Sequence, residues 1–509
     1  MKKISQWMFL TILLVTISAC SQQAGNYTQV IPADATTVIA LDLNSMGNKA
    51  GLSDQENQAF QEKMLEAMTN GLKPTSVEYV KKIMKSPSES GISSKDPMYV
   101  FLSPAQEDPV IVAKVSDEKK LRSTLDVMTE EGIGDAVAEK DGLNLMSLND
   151  VLIVYDKTTA MIGRASRDFT EDDIVSYMKS NSQNNVHKNR YFQKMQKKKG
   201  DILFFTSLGK HSSRVTRQMG VNVPNIDLGD LYFIGDFSFE KGKLLSHLEV
   251  DAENEEISKL LEHNAKAVGK IKGSFIGDFP VNPLLFFTIN LNGEQFFNAM
   301  MENEDFKQAM EAEEGAMIRE FIKAFNGDVS FGLLDVVMTD MPKFLAYADI
   351  KKDDALDVIY QNKDKFGLKR GSDIVQLSPN EYQFKSGKLS FYFGVKDNRA
   401  YVTNDAAIYN GTSGKKTSLQ DARYASNIKG KNQYFVIDIE AIIALPVVQM
   451  LAGFGGKEYK TYLDIASTFS YMEITSVTPT EAEITLHMTN KDTNILKQFV
   501  DMAKQLSGM

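Results

Sequence analysis

The sequence predicts an α+β protein made by tandem duplication, with two-layer units whose antiparallel sheets carry helices packed on one face. Three observations predict it. A short apolar strand ending in a polar-apolar-polar step recurs four times. Each copy is followed by a strand pair and then an amphipathic helix. Long and short units alternate along the chain. Apolar residues at every second position mark half-buried strands, and spacing of three and four residues marks a helix with one buried face.

The four strand copies span 38–44, 203–209, 286–292 and 434–440, with Asp42, Ser207, Asn290 and Asp438 at the polar step. These four side chains are read as partners for backbone groups at the strand-to-helix turn, with a binding contact as the alternative. Hairpins follow at 232–250, across the turn at 240–243, and at 471–488, across Thr478, Pro479 and Thr480. Comparable segments lie at 98–128 and 329–360. The helices behind them show the expected stripe, as in Leu121, Leu125 and Met128, or Ile495, Leu496, Phe499 and Met502. Extra strand pairs at 143–162 and 382–402 lengthen the first and third units. The chain therefore divides into a first half, 31–270, and a second, 271–509, each with two α+β units. This order of elements is that of ferredoxin-like two-layer sandwiches. Clusters of turn residues at 86–91 and 411–414 read as linkers.

Composition narrows the class. At 509 residues the chain exceeds what one continuous core organises. Hydrophobic residues at 43% and charged residues at 24% fit a body that folds in water, and disfavour wholesale disorder or a multi-span membrane protein. The net charge is −10, and loss of residues 1–19, with Lys2 and Lys3 and no acid, makes it −12. Nucleic acid is disfavoured as a partner, because a phosphate backbone asks for a basic face. The basic run 194–199 reads as a solvated helix end.

The amino terminus is more specific. Lys2 and Lys3 precede an apolar run from Trp7 to Ile17, followed by the small residues Ser18 and Ala19, which is the layout of an export signal. The run is shorter than the ~20 residues a bilayer span needs. The only cysteine of the chain, Cys20, comes next. Ile17, Ser18, Ala19 and Cys20 together resemble the lipobox of bacterial lipoproteins. The resemblance implies that residues 1–19 are a signal peptide cut before Cys20, that the Cys20 thiol receives a diacylglyceryl group, and that the new amino terminus is acylated, as with palmitate. A thiolate is a much better nucleophile than a hydroxyl near neutral pH. Several acyl chains make a stable anchor where a single chain binds marginally. With Cys20 consumed, no disulfide is available, and residues 20–30 read as a short polar tether.

From Tyr27 onward, with Val30, Ile31, Pro32, Ala33, Asp34 and Ala35 leading into the first strand, the chain resembles a family of envelope lipoproteins known mainly as a domain of unknown function in anaerobic gut bacteria. That family implies no activity. The lipoprotein resemblance, with no acid beside Cys20, implies an outer-membrane location facing the periplasm, with the cell surface as the alternative.

Catalytic constellations are thin. The histidines, His187, His211, His247, His263 and His487, form no pair at metal-ligand spacing, and no metal site is expected. His247 and His487 stand in similar contexts in the second and fourth units and read as repeat equivalents. The glycines at 453–456 lack the upstream glycine and following hydroxyl of a phosphate loop. Ser-x-x-Lys occurs at Ser116, Ser413 and Ser426 without its partner motifs, and Ser116 reads as a helix cap. The acidic runs at 171–173, 251–256 and 351–354 sit where helices begin. Segment 441–456, the most apolar of the mature chain, is too short to span a bilayer. It reads as buried between units, with a groove for an apolar partner as the alternative.

The expectation is a membrane-tethered binding or scaffold protein without catalytic residues or cofactor, whose partner is an envelope protein, a glycan or a lipid. Two alternatives stand beside it: an extracytoplasmic hydrolase of glycan or peptide, with carboxylates paired only by the fold, and a carrier of lipid or another hydrophobe.

Overall fold

The computed structural model describes residues 26–506 except 105, 166–169, 180–183, 208–229, 303, 312, 339–340, 353–355, 362, 364–371 and 413–416. The signal segment, Cys20, His211 and Ser413 lie outside the described residues. The chain forms two compact units, one made of residues 26–252 with 491–506 and the other of residues 253–490.

In the first unit the strands are β1 (Thr37–Leu41), β2 (Met98–Ser103), β3 (Gln106–Lys114), β4 (Ala138–Lys140), β5 (Leu143–Leu148), β6 (Val151–Tyr155), β7 (Thr159–Arg164), β8 (Ile202–Ser207), β9 (Leu231–Glu240) and β10 (Lys243–Ala252). They pair antiparallel in the order β4-β5-β6-β7-β3-β2-β1-β8-β9-β10. The join is β1 with β8, in register from Thr37 opposite Thr206 to Leu41 opposite Ile202. Two of the four repeated strands are thus paired inside one continuous sheet, and each covers an edge the other would leave open.

The second unit repeats this plan. After the two-residue β11 (Val268–Gly269) come β12 (Leu285–Asn292), β13 (Phe325–Asp335), β14 (Lys343–Ile350), β15 (Ser372–Ser378), β16 (Glu381–Ser386), β17 (Leu389–Lys396), β18 (Arg399–Thr403), β19 (Gln433–Asp438), β20 (Phe469–Thr478) and β21 (Glu481–Met488). Their order, β15-β16-β17-β18-β14-β13-β12-β19-β20-β21, matches that of the first unit strand for strand. The other two repeated strands, β12 and β19, are paired at the same place in that order.

The first unit has a core on each face of its sheet. Tyr99, Phe101, Val110 and Val112 pack with Ile174, Val175, Tyr191 and Phe192, from helices Glu171–Lys179 and Arg190–Met195. Met98, Ala113, Ile153 and Ile162 pack with Val80 and Ile83, from helix Pro74–Lys85, and with Leu121, Leu125 and Met128, from helix Glu118–Glu130. The run Leu152 to Tyr155, buried without alternation, carries this two-sided burial in its sequence.

Several local expectations change. Residues 86–91 are no linker: Ser90 is buried, its carbonyl accepts from Thr124 Oγ1, and the Gly91 carbonyl accepts from Ser116 Oγ. Gly91 has φ +83°, and an added Cβ would strike the backbone of Leu121. Asp117, not Ser116, caps helix Glu118–Glu130, accepting from the Lys120 amide. Residues 491–506, read as part of the second half, belong to the first unit. There Lys497 pairs with Asp54 at 3.0 Å, Lys504 Nζ lies over the Phe60 ring, and Asn494 donates to the Phe239 carbonyl. Helix Ile495–Leu506 is strongly amphipathic, and its stripe says that it packs but not against which sheet.

Candidate functional site

One buried polar group of the second unit surrounds Glu473 on β20, which is 5% exposed. Its carboxylate accepts from His487 Nε2 at 2.9 Å, from Asn427 Nδ2 at 3.1 Å to each oxygen, and from Tyr434 OH at 2.9 Å. Burial pushes this carboxyl up, but the hydrogen bonds from His487, Asn427 and Tyr434 outweigh it and hold Glu473 below its ordinary value. The His487 ring stacks on Tyr471 with centroids 4.1 Å apart, and the Arg423 guanidinium lies 5.1 Å from the centroid of the Tyr471 ring. Burial first, and Glu473 second, push the Tyr471 phenol up to about 12. Arg423 Nη2 donates to Asp438 at 2.6 Å, and its other terminal nitrogen donates to Glu440. Asp438 caps helix Ile439–Ile443 by accepting from the Ala441 amide at 2.9 Å, and burial pushes its carboxyl up.

The first unit builds two smaller groups. Asp201, 3% exposed, accepts from Ser45 Oγ at 2.5 Å, from Lys49 Nζ at 2.7 Å to each oxygen, and from the Phe239 amide at 2.7 Å. His247 Nδ1 lies 3.0 Å from the buried Asp236, whose carboxyl is raised by burial against the hydrogen bond from His247. His247 is the fifth residue of β10 and His487 the seventh of β21, so the two are not repeat equivalents. His247 stands directly opposite its partner, whereas His487 reaches across from its own opposite, Tyr471. Each histidine meets a carboxylate peculiar to its unit.

The remaining candidates resolve as local structure. Asp42 accepts from the Ser45 amide and caps helix Leu43–Lys49. In the third copy the cap is Asn292, accepting from the Gln295 amide, while Asn290 donates to Asp328. Ser207 is buried at the end of β8. His187 Nε2 lies 2.9 Å from Thr28 Oγ1, and His263 Nδ1 lies 2.6 Å from Glu302. Among the described residues no group of three or more His, Cys, Asp or Glu is placed to hold a metal ion, and no helix is long and apolar enough to cross a membrane.

The apolar segment departs from its expected burial. None of residues 441–456 is buried. Helices Pro446–Phe454 and Gly456–Ala466 pack on each other and present Met450, Leu451, Phe454, Tyr459 and Tyr462 outward, Phe454 being 83% exposed. Isolated exposed apolar residues are ordinary, but five on one helical pair form a patch of the kind that marks interaction sites.

The second unit also holds two cavities, on opposite faces of the β14–β18 pair. A polar one of about 430 Å³ is lined by Tyr347, Glu381, Lys396, Arg399, Tyr401 and Tyr409, with Tyr401 OH donating to Glu381 at 2.9 Å. An apolar one of about 300 Å³ is lined by Phe321, Phe325, Ala346, Ala348, Phe393 and Ala400 among others. Neither is legible in the sequence, because each is assembled from strands distant along the chain.

The fold and these groups define a duplicated α+β protein whose buried acids have their partners inside the fold and whose apolar surface is displayed. The chain belongs to the DUF4836 family, described as a domain of unknown function, whose model matches residues 27–496. No curated protein matches it. Among solved structures, crystal forms I, III and IV of TP0453 are similar at 10%, 11% and 12% identity, each with a TM-score of 0.27. They cover 49%, 48% and 45% of this chain and 89%, 89% and 81% of their own.

Proposed function

We propose that the chain is a lipid-anchored protein of the cell envelope, tethered through Cys20 at the outer membrane and facing the periplasm, that acts by binding rather than by catalysis. The observation that carries this reading is the helical pair 446–466, whose Met450, Leu451, Phe454, Tyr459 and Tyr462 stand exposed. Aromatic and methionine side chains on a displayed patch are the residues that anchor interfaces. The buried acids support the same reading. Glu473, Asp438 and Asp201 are each engaged by several donors of the fold, which suits bracing better than proton transfer to a substrate.

A photo-crosslinking residue placed at Phe454 in intact cells tests the reading. The expected result is one discrete adduct, reduced at least tenfold when Leu451→Glu is added to the folded protein. A folded protein that gives no adduct at this position would contradict it.

A second reading, a carrier of hydrophobic molecules, is favoured by the apolar cavity of the second unit.

A further inference from the structure

The two units share one strand order, so their sheets can be compared residue by residue through register. In the first unit Ile111 of β3 stands opposite Ile162 of β7, and Ala113 opposite Ala160. At the corresponding places in the second unit, Ala346 of β14 stands opposite Val402 of β18, and Ala348 opposite Ala400. The neighbouring strands agree: Ile153 pairs with Ile162 as Phe393 pairs with Val402. One isoleucine pair of the first unit has therefore become alanine and valine.

In the first unit this face is filled. Leu121, Leu125 and Met128 are at most 1% exposed, and with Val80 and Ile83 they close over the sheet. In the second unit the same face borders the cavity of about 300 Å³, bounded above by Phe321, Phe325 and Leu356. Protein interiors pack as densely as organic crystals, and the first unit shows that this fold can fill the space with its own side chains. Water is a poor tenant, because it needs two to four polar partners and the lining is apolar but for two tyrosines. One of those, Tyr401, donates its hydroxyl to Glu381, which lines the polar cavity on the other face. The pocket opens to the surface, so a ligand can enter it, and small-molecule sites begin at about 300 Å³.

We propose that this cavity is a binding site for a single aliphatic chain, the alkyl or acyl portion of a lipid. No charged residue lines it, so the buried part of the ligand is neutral. Its slender, branched-to-small floor of Ala346, Ala348, Ala400 and Val402 suits a flexible methylene chain, which conforms to the space without asking for hydrogen bonds. The site is separate from the exposed helical pair, and the two readings fail independently.

The chain has one tryptophan, Trp7. In full-length protein carrying Trp7→Phe, Phe321→Trp supplies a reporter inside the cavity and Phe454→Trp one on the exposed helical pair. 12-Bromododecanoate, whose bromine quenches tryptophan on contact, is titrated into each. The expected result is saturable quenching of the Phe321→Trp protein and none of the Phe454→Trp protein. Adding Ala346→Ile with Val402→Ile, which restores the first unit's side chains, weakens the quenching at least tenfold. Vesicles of a brominated phosphatidylcholine form a second arm: quenching by these alone assigns the chain to a bilayer lipid, and quenching by the free acid assigns it to a fatty acid. Absence of quenching at Phe321→Trp in both arms overturns the proposal. So does undiminished quenching in the folded, refilled variant. If the refilled variant does not fold, equal quenching at both reporter positions overturns it instead.

Discussion

His487 holds the buried carboxylate of Glu473 through a 2.9 Å hydrogen bond from Nε2, and the same ring lies flat on Tyr471. The histidine thus joins β20 to β21 twice, once through a charge-assisted hydrogen bond and once through a stacked ring. Loss of His487 leaves Glu473 short of a donor in a nearly dry site. His487→Ala should destabilise the second unit by about 1–3 kcal/mol, read as a lowered urea midpoint, with His487→Gln recovering part of the loss.

Glu473 and Asp236 should respond to pH with opposite sign. Glu473 is held below its ordinary value of 4.5, so its contribution is present above that pH and is lost as pH falls through the folded value. Asp236 is raised above 3.8, so its contribution is complete below that pH and is lost as pH rises through the folded value. Thermal melts taken from about pH 7 down to about pH 3 should show a shallower acid limb for Glu473→Gln than for the parent. Asp236→Asn should lose less stability than the parent between about pH 4 and neutrality. Identical profiles for both variants would refute the assignment.

Asp201 gathers Ser45, Lys49 and the Phe239 amide into one buried acceptor. Asp201→Ala leaves those donors unmet and should cost about 3 kcal/mol, seen in chemical unfolding. Lys49→Met, which removes one partner from the rim, should cost less.

The helix Ile495–Leu506 completes the first unit across a long stretch of chain, through Asn494 on Phe239 and Lys497 on Asp54. Ending the chain at Asn490 should raise amide exchange in Leu43–Lys49 and Gln58–Thr69, while the β12–β19 pair of the second unit keeps its protection. Faster exchange in β12 alone would show that the helix serves the other unit.

Much of this architecture was legible in the sequence. The four repeated strands pair two by two inside the sheets, and each alternates between a buried and a less buried face as its sequence predicts. Leu121, Leu125 and Met128 became a buried stripe because their spacing is that of a helix. What escaped is what depends on partners far along the chain. Periodicity marks helix Ile495–Leu506 as one-sided without naming its sheet. Segment 441–456 is apolar enough for a core, yet hydropathy cannot distinguish a core from a displayed patch, and the fold displays it. Asp236 and Glu473 sit in apolar strands with nothing beside them in sequence to announce His247 and His487, which are brought to them by the hairpins. The apolar cavity is visible only through register, where Ala346 meets Val402 in place of Ile111 and Ile162.

The anchor at Cys20 is the claim on which the proposed function rests, and metabolic labelling with an alkyne-bearing palmitate tests it most directly. Cells producing the parent chain and Cys20→Ser are labelled, fractionated and compared at equal protein. The account predicts label and membrane association for the parent and neither for Cys20→Ser. Label retained by Cys20→Ser, or a parent chain that takes up none and stays soluble, would contradict it.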